Sequence, residues 1–143
     1  MTVTGTTIHD IPIGHKASFR KTVAESDIYL FAGITGDFDP NHVDEEFCKT
    51  TSFGHRIAHG ALMVGYMSTA STRILPDFGR TIVSLGYDRI RFLKPVYIND
   101  TVTVDYEIVE LDIDRERTIA KVEVHNQNGD LVAIATHIQK LID

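Results

Sequence analysis

The spacing of apolar residues divides the chain into a helical half and a strand-rich half. From residue 22 to residue 75 apolar positions recur at helical spacing, and from 81 to 140 they alternate with polar ones, as on strands with one wet face. Thr22 and Glu25 fit a capping box that would begin a helix, and Gly36 is a natural place for that helix to end. We therefore predict helices in the first half and strands in the second.

The most unusual stretch is AHGALMVGYMSTASTRIL, residues 58 to 75, which has no charged residue between Gly60 and Thr72. A helix without a polar stripe is normally buried on all sides. Its many small residues would allow a sheet to approach closely. We expect this segment to be the central helix of the domain.

The second half of the chain predicts an antiparallel sheet. Residues 102 to 108 alternate strictly between apolar and polar, and the dipeptide Asn128-Gly129 is a strong hairpin signal because both residues tolerate positive φ. The expected strands lie near residues 82–93, 102–108, 116–126 and 130–140. Together with the buried helix they predict a single α+β domain over residues 1–143.

Composition narrows the class of protein. A length of 143 residues suits one domain with a real core, and a formal net charge of -6 argues against a nucleic-acid partner, which requires clustered cations. The single cysteine, Cys48, excludes an intrachain disulfide and indicates a reducing compartment, so we expect a cytoplasmic protein. The N-terminus does not read as a signal peptide, and no apolar run is long enough for a membrane span.

The stretch GDFDPNH, residues 36 to 42, concentrates acids, an amide and an imidazole in one turn. Its spacing resembles the start of a calcium-binding EF-hand loop, but that loop requires glycine at its sixth position and glutamate at its twelfth, where this chain has His42 and Cys48. His55 and His59 have the spacing of a zinc pair but lack a glutamate directly after His55. We therefore predict no metal site.

Two other kinds of chemistry remain for this region. Cys48 follows several acids, which would raise the pKa of its thiol, so it is a poor candidate nucleophile. Asp37 and His42 lie five residues apart across a turn that contains Pro40, and side chains held on one side of a turn can share one water molecule for acid–base work. The alternative is that Asp37 and Asp39 only make turn hydrogen bonds.

Beyond spacing, residues 31 to 68 resemble the hydratase signature of the MaoC-like dehydratases, which include the (R)-specific enoyl-CoA hydratases of the hotdog fold. The family core reads G-D-x-N-P-x-H, then an acidic residue, then a later H-G that begins the long helix. The matching residues here are Gly36, Asp37, Pro40, His42, Asp44, His59 and Gly60. The similarity extends through residues 87 to 104. It implies a hotdog fold, in which a curved antiparallel sheet wraps a long central helix. It also implies a homodimer joined edge to edge, or a higher homo-oligomer.

The resemblance also implies a reaction and roles. Water would add reversibly to a trans-2-enoyl thioester, with Asp37 and His42 as the catalytic pair and the Gly60 N–H polarising the thioester carbonyl. Ser68 matches a serine that supports the pair by hydrogen bonding. This chain departs from the family at Asp39, where Asn is usual; we favour an Asp39 side chain that stays in the turn, the alternative being a second carboxylate in the site.

The sequence also suggests which residues contact the substrate and which carrier holds the acyl group. Six residues are candidates for contact with the substrate: Asp39, Pro40, Asn41, Phe53, His59 and Met63. The substrate is expected to be a coenzyme A thioester, with acyl carrier protein as an alternative carrier, and no metal or redox cofactor is expected. Two other functions stay open: a hotdog acyl-CoA thioesterase, and a non-catalytic acyl-binding partner subunit.

Overall fold

The computed structural model describes residues 2–143 and contains one antiparallel sheet and one long helix. The strands are β1 (Lys16–Thr22), β2 (Ile82–Phe92), β3 (Thr101–Asp112), β4 (Arg117–His125) and β5 (Leu131–Leu141). The helices are α1 (Glu25–Thr35), α2 (Pro40–Val43), α3 (Glu45–Cys48) and α4 (Gly60–Thr72), after a 3-10 turn at Ile8–Asp10. Within residues 2–143, no helix is both long and apolar enough to cross a membrane.

The five strands run in the order β1-β3-β4-β5-β2, so β1 and β2 form the two edges. Helix α4 packs across β1, β3 and β4. Its buried side chains, which include Met63, Tyr66 and Met67, join a core formed by the alternate inward residues of β3 and β4, such as Val104 and Val122. A central helix against a wrapped antiparallel sheet confirms the predicted α+β hotdog fold.

Helix α4 departs from the prediction in one respect, because a single chain does not bury it on all sides. Its exposed residues form one stripe at helical spacing: Ala61, Gly65, Ser68 and Thr72. The absence of charge along this helix therefore reflects burial on one face and a stripe of small residues on the other.

The start of α1 corrects another prediction. The helix begins at Glu25, and the Asp27 carboxylate accepts a hydrogen bond from the Ala24 N–H at 2.8 Å. Thr22 is instead the last residue of β1, and its hydroxyl bonds with that of Thr101 on β3 at 2.8 Å. The predicted capping box was wrong because pairing with β3 extends strand β1, which was not predicted, through Thr22.

Candidate active site

The turn after α1 places the first candidate residues. Gly36 ends the helix in the left-handed conformation, at φ 85°, as predicted. The Asp37 carboxylate accepts the Asp39 N–H at 3.2 Å, and the Asp39 carboxylate caps α2 by accepting the Asn41 N–H at 2.8 Å. Asp39 therefore lies in the turn, in the arrangement favoured from the sequence, while the exposed Asp37 carboxylate retains its other oxygen for a further partner.

His42 is held by a backbone group from a distant part of the chain. Its Nδ1 lies 2.7 Å from the carbonyl oxygen of Ile57. Because a carbonyl oxygen only accepts hydrogen bonds, Nδ1 must carry the hydrogen, and in the neutral ring Nε2 then bears the free lone pair. The fold thereby selects the tautomer in which Nε2 can accept a proton.

His59 lies beneath this pair. It is 1% exposed and precedes α4, and its Nε2 donates to the main-chain oxygen of Asp37 at 2.9 Å. Its ring stacks on that of His42, with the ring centres 3.8 Å apart, and packs against Phe31 at 4.7 Å. The sequence assigned His59 to substrate contact; the structure adds a role in holding the main chain at Asp37 and the ring of His42.

These contacts bring the predicted pair together. One carboxylate oxygen of Asp37 and one ring nitrogen each of His42 and His59 all lie within 4.8 Å of one another. The His59 Nδ1 atom is buried and has no hydrogen-bond partner among residues 2–143. Such a set can bind one water between an acid and a base. His55 lies apart from it, exposed and bonded to Glu45 at 2.9 Å.

A cavity of about 360 Å³ opens beside His42 and Gly60. Its walls are largely apolar and include the predicted residues Phe53 and Met63. Gly60 is the first residue of α4, where backbone N–H groups have no acceptor inside the helix and the helix dipole is positive. The Phe92 ring packs so closely on Gly60 that a side-chain carbon there would lie 2.6 Å from it.

Pro40 and Asn41 contribute to this region through their main chains. The Asn41 carbonyl accepts the Ile57 N–H at 3.0 Å and the Cys48 thiol at 3.3 Å, and the Pro40 carbonyl lies 3.5 Å from the same thiol. Burial, followed by the charges of Glu45 and other acids, raises the pKa of Cys48. The thiol thus supports the turn from below and has none of the features of a nucleophile.

Ser68 lies apart from the pair in the single chain. It is exposed, two turns beyond Gly60, and lines a second cavity with Ser71 and Gln139. Within residues 2–143 its hydroxyl makes no hydrogen bond to Asp37 or His42. The chain does not by itself form the support predicted for this serine.

The central helix, the wrapped sheet and the pair at the helix N-terminus define a hotdog-fold protein. The chain belongs to the MaoC-like domain family, whose pattern matches residues 10–130. It is 44% identical over 102 residues to the (R)-specific enoyl-CoA hydratase of Rhodospirillum rubrum, and the matched region covers 71% of this chain and 69% of that protein. It is 30% identical to the (R)-specific enoyl-CoA hydratase of Aeromonas caviae, over 92% of this chain and 96% of that one. The unliganded R-hydratase PhaJ1 of Pseudomonas aeruginosa superposes with a TM-score of 0.83 at 32% identity, over 96% of this chain and 86% of that chain.

Proposed function

We propose that this protein is an (R)-specific enoyl-CoA hydratase, which adds water reversibly to a trans-2-enoyl thioester and, in reverse, dehydrates the 3-hydroxyacyl thioester. The observation that carries the proposal is the convergence of Asp37 and His42 beside the N-terminus of α4, where His42 and Gly60 line a largely apolar cavity. The hydratases among its relatives support the same reaction.

The proposed mechanism uses one water and one acid–base pair. Asp37 and the bare Nε2 of His42 hold the water against C3 of the substrate, and the pair removes one proton as the oxygen bonds to C3. The Gly60 N–H and the helix dipole stabilise the negative charge that builds on the thioester oxygen. The pair then returns a proton to C2, so both additions take place on the same face. The addition forms a C3–O and a C2–H bond at the expense of the double bond and one O–H bond, with no net oxidation or reduction, and we keep the prediction that no metal or redox cofactor is needed.

The carrier of the acyl group is proposed to be coenzyme A. Lys94 lines the cavity and pairs with Asp130 at 3.2 Å, and a cation at the cavity suits the phosphates of an anionic carrier. Acyl carrier protein, the other predicted carrier, would meet the same cation. A cytoplasmic location is proposed because the one cysteine is buried and free.

A homodimer joined along β2 is also proposed. β2 is a free edge of eleven residues, and Leu85 and Phe92 on it are 47% and 54% exposed. An edge strand with exposed apolar side chains is a template for pairing with another copy. The exposed stripe of α4 lacks large side chains, which suits close packing of two helices. Sedimentation of Leu85→Lys against the native chain tests this: a native dimer that becomes monomeric in the variant is expected, and a native monomer would refute it.

The function is tested by following the enoyl-thioester absorbance of crotonyl-CoA with a thiol reagent present. Absorbance loss without thiol release is expected, together with its abolition in Asp37→Asn and His42→Ala. Thiol release would identify a thioesterase instead. The absence of both signals, with longer enoyl-CoA substrates as well, would favour the acyl-binding subunit.

A further inference from the structure

Arg56 lies at the centre of a hydrogen-bonded cluster just outside the proposed site. Its side chain is 17% exposed. The guanidinium donates from Nε to Glu45 at 3.0 Å, from one terminal nitrogen to Glu25 at 3.0 Å, and from the other to the Tyr29 hydroxyl. Three acceptors on three different side chains occupy the planar fork, a geometry that lysine cannot reproduce.

The three acceptors belong to the two segments that carry the proposed catalytic pair. Glu25 and Tyr29 lie on α1, whose C-terminal end leads directly into Asp37. Glu45 begins α3, three residues after His42. Arg56 thus connects both segments to the stretch of chain that enters α4.

Arg56 also immediately precedes Ile57, the residue that fixes the His42 ring. The Ile57 carbonyl accepts the His42 Nδ1 hydrogen at 2.7 Å, and the Ile57 N–H donates to Asn41 at 3.0 Å. We propose that Arg56 is a positioning residue, which holds the Ile57 carbonyl against His42 and so maintains both the orientation and the tautomer of the proposed base. The catalytic part of this inference rests on the proposed hydratase function; the tautomer part does not.

The charges around Arg56 allow its guanidinium to act as a lasting anchor, by which we mean its hydrogen bonds to Glu25, Tyr29 and Glu45. Hydrogen bonds from His55 and from Arg56 lower the pKa of Glu45, so its carboxylate is ionised at neutral pH. Arginine remains protonated at any pH at which the fold exists. The ion pair between Arg56 and Glu45 is therefore charged at neutral pH, where it holds the two segments together.

A merely structural arginine is available as a matched control. Arg80 donates to both carboxylate oxygens of Glu116, at 2.6 and 3.2 Å, and its side chain is 21% exposed, close to the value for Arg56. It links the start of β2 to the turn before β4, and none of its contacts involves the turn that carries Asp37 and His42. Loss of either arginine removes a half-buried ion pair, but only one of the two touches the segments of the site.

The experiment measures tautomer, turnover and stability in four chains: native, Arg56→Ala, Arg56→Lys and Arg80→Ala. In long-range ¹⁵N–¹H spectra of the histidine rings, native His42 should show a protonated Nδ1 and an unprotonated Nε2. Arg56→Ala should show a mixture of tautomers, with kcat for crotonyl-CoA lowered by about ten- to a hundredfold and KM little changed, since a displacement of about 1 Å is enough for such a loss. Arg56→Lys should fall between native and Arg56→Ala.

Arg80→Ala should lose stability without any change in the His42 spectrum or in kcat. The positioning role is refuted if Arg56→Ala keeps the native tautomer and turnover, or if Arg80→Ala alters both equally. Should Arg56→Ala not fold, Glu45→Gln weakens the same anchor while preserving shape, and it must shift the same two signals or the inference fails. If the native protein has no hydratase activity, the proposed function fails, and the tautomer signal still decides whether Arg56 positions His42.

Discussion

Replacing Gly60 with alanine should damage the proposed site while leaving the fold intact. The added carbon would lie 2.6 Å from two ring carbons of Phe92 and 2.8 Å from a third. Carbon atoms in ordinary contact are separated by about 3.5–4.0 Å, so the ring or the helix end must retreat by about 1 Å. Phe92 is 54% exposed in the single chain and lines the cavity outside the buried core, so its ring can move without opening a hole in that core. Because Phe92 also lies on the edge strand proposed to pair two copies, the oligomeric state of each variant is measured alongside its activity.

The cost of this movement should therefore appear in activity and not in stability. Where the backbone does not require a positive φ, as at Gly60, alanine stabilises a protein by about 0.4–1 kcal/mol relative to glycine because it restricts the unfolded chain. This gain offsets part of the lost ring packing, so the free energy of unfolding should change by no more than about 1 kcal/mol. A displacement of about 1 Å where the thioester carbonyl must meet the Gly60 N–H should lower kcat/KM by about a hundredfold.

The assay compares crotonyl-CoA hydration and urea unfolding in Gly60→Ala, Phe92→Ala and the double variant. The double variant has room for the added carbon, so it should recover at least about tenfold of the loss relative to Gly60→Ala. Gly33→Ala on α1 is the matched control, because its added carbon would meet no atom of residues 2–143 within 4 Å apart from those of its own helix and chain neighbours. It should keep native activity and gain up to about 1 kcal/mol of stability.

Native activity in Gly60→Ala would refute the claim that the ring packed on Gly60 and the Gly60 N–H form the carbonyl site. A double variant no better than the single one would locate the damage elsewhere than in the contact with Phe92. A loss of several kcal/mol in stability would mean that the change unfolds the helix end.

Two further variants test the environment of single residues. Asp39→Asn should keep kcat for crotonyl-CoA within about twofold, because asparagine caps the same turn and the Asp39 carboxylate already bonds to the Asn41 N–H; a large change would mean that this side chain enters the site. Burial lowers the pKa of His137 from 6.5 to about 4, so between these values the unfolded chain binds a proton that the folded chain does not. The contribution of His137 to the free energy of unfolding should therefore be present in full above pH 6.5, and up to about 3 kcal/mol of it should be lost as the pH drops to 4. Urea unfolding at pH 7 and pH 5 should show a weaker pH dependence for His137→Gln than for the native chain.

Helix ends and turns were predicted correctly where a few adjacent residues determine them, whereas strand β1 depends on pairing with a distant part of the chain and was not predicted. The glycine stop at Gly36 and the Asn128-Gly129 hairpin depend on the φ that a few adjacent residues accept. Both appear in the structure, although of the hairpin dipeptide only Gly129 takes a positive φ, of 78°, and Asn128 does not. Strand β1 carries only Ala17 and Phe19 as apolar residues, too few for a periodic signal. It exists because its backbone pairs with β3 from Lys16 to Thr22, and such pairing leaves no local mark on the sequence.

The same division applies to the site. Asp37 and His42 share one turn, so their proximity follows from the sequence, whereas the groups that orient them are a carbonyl 15 residues beyond His42 and an imidazole 22 residues beyond Asp37. A backbone carbonyl has no sequence signature, since every residue possesses one. The tautomer of His42 is thus a property of the tertiary structure: a chain that kept all seven residues of GDFDPNH but moved Ile57 would retain the signature and lose the base. The motif therefore predicts which groups take part, and the fold determines whether their lone pairs point at the substrate.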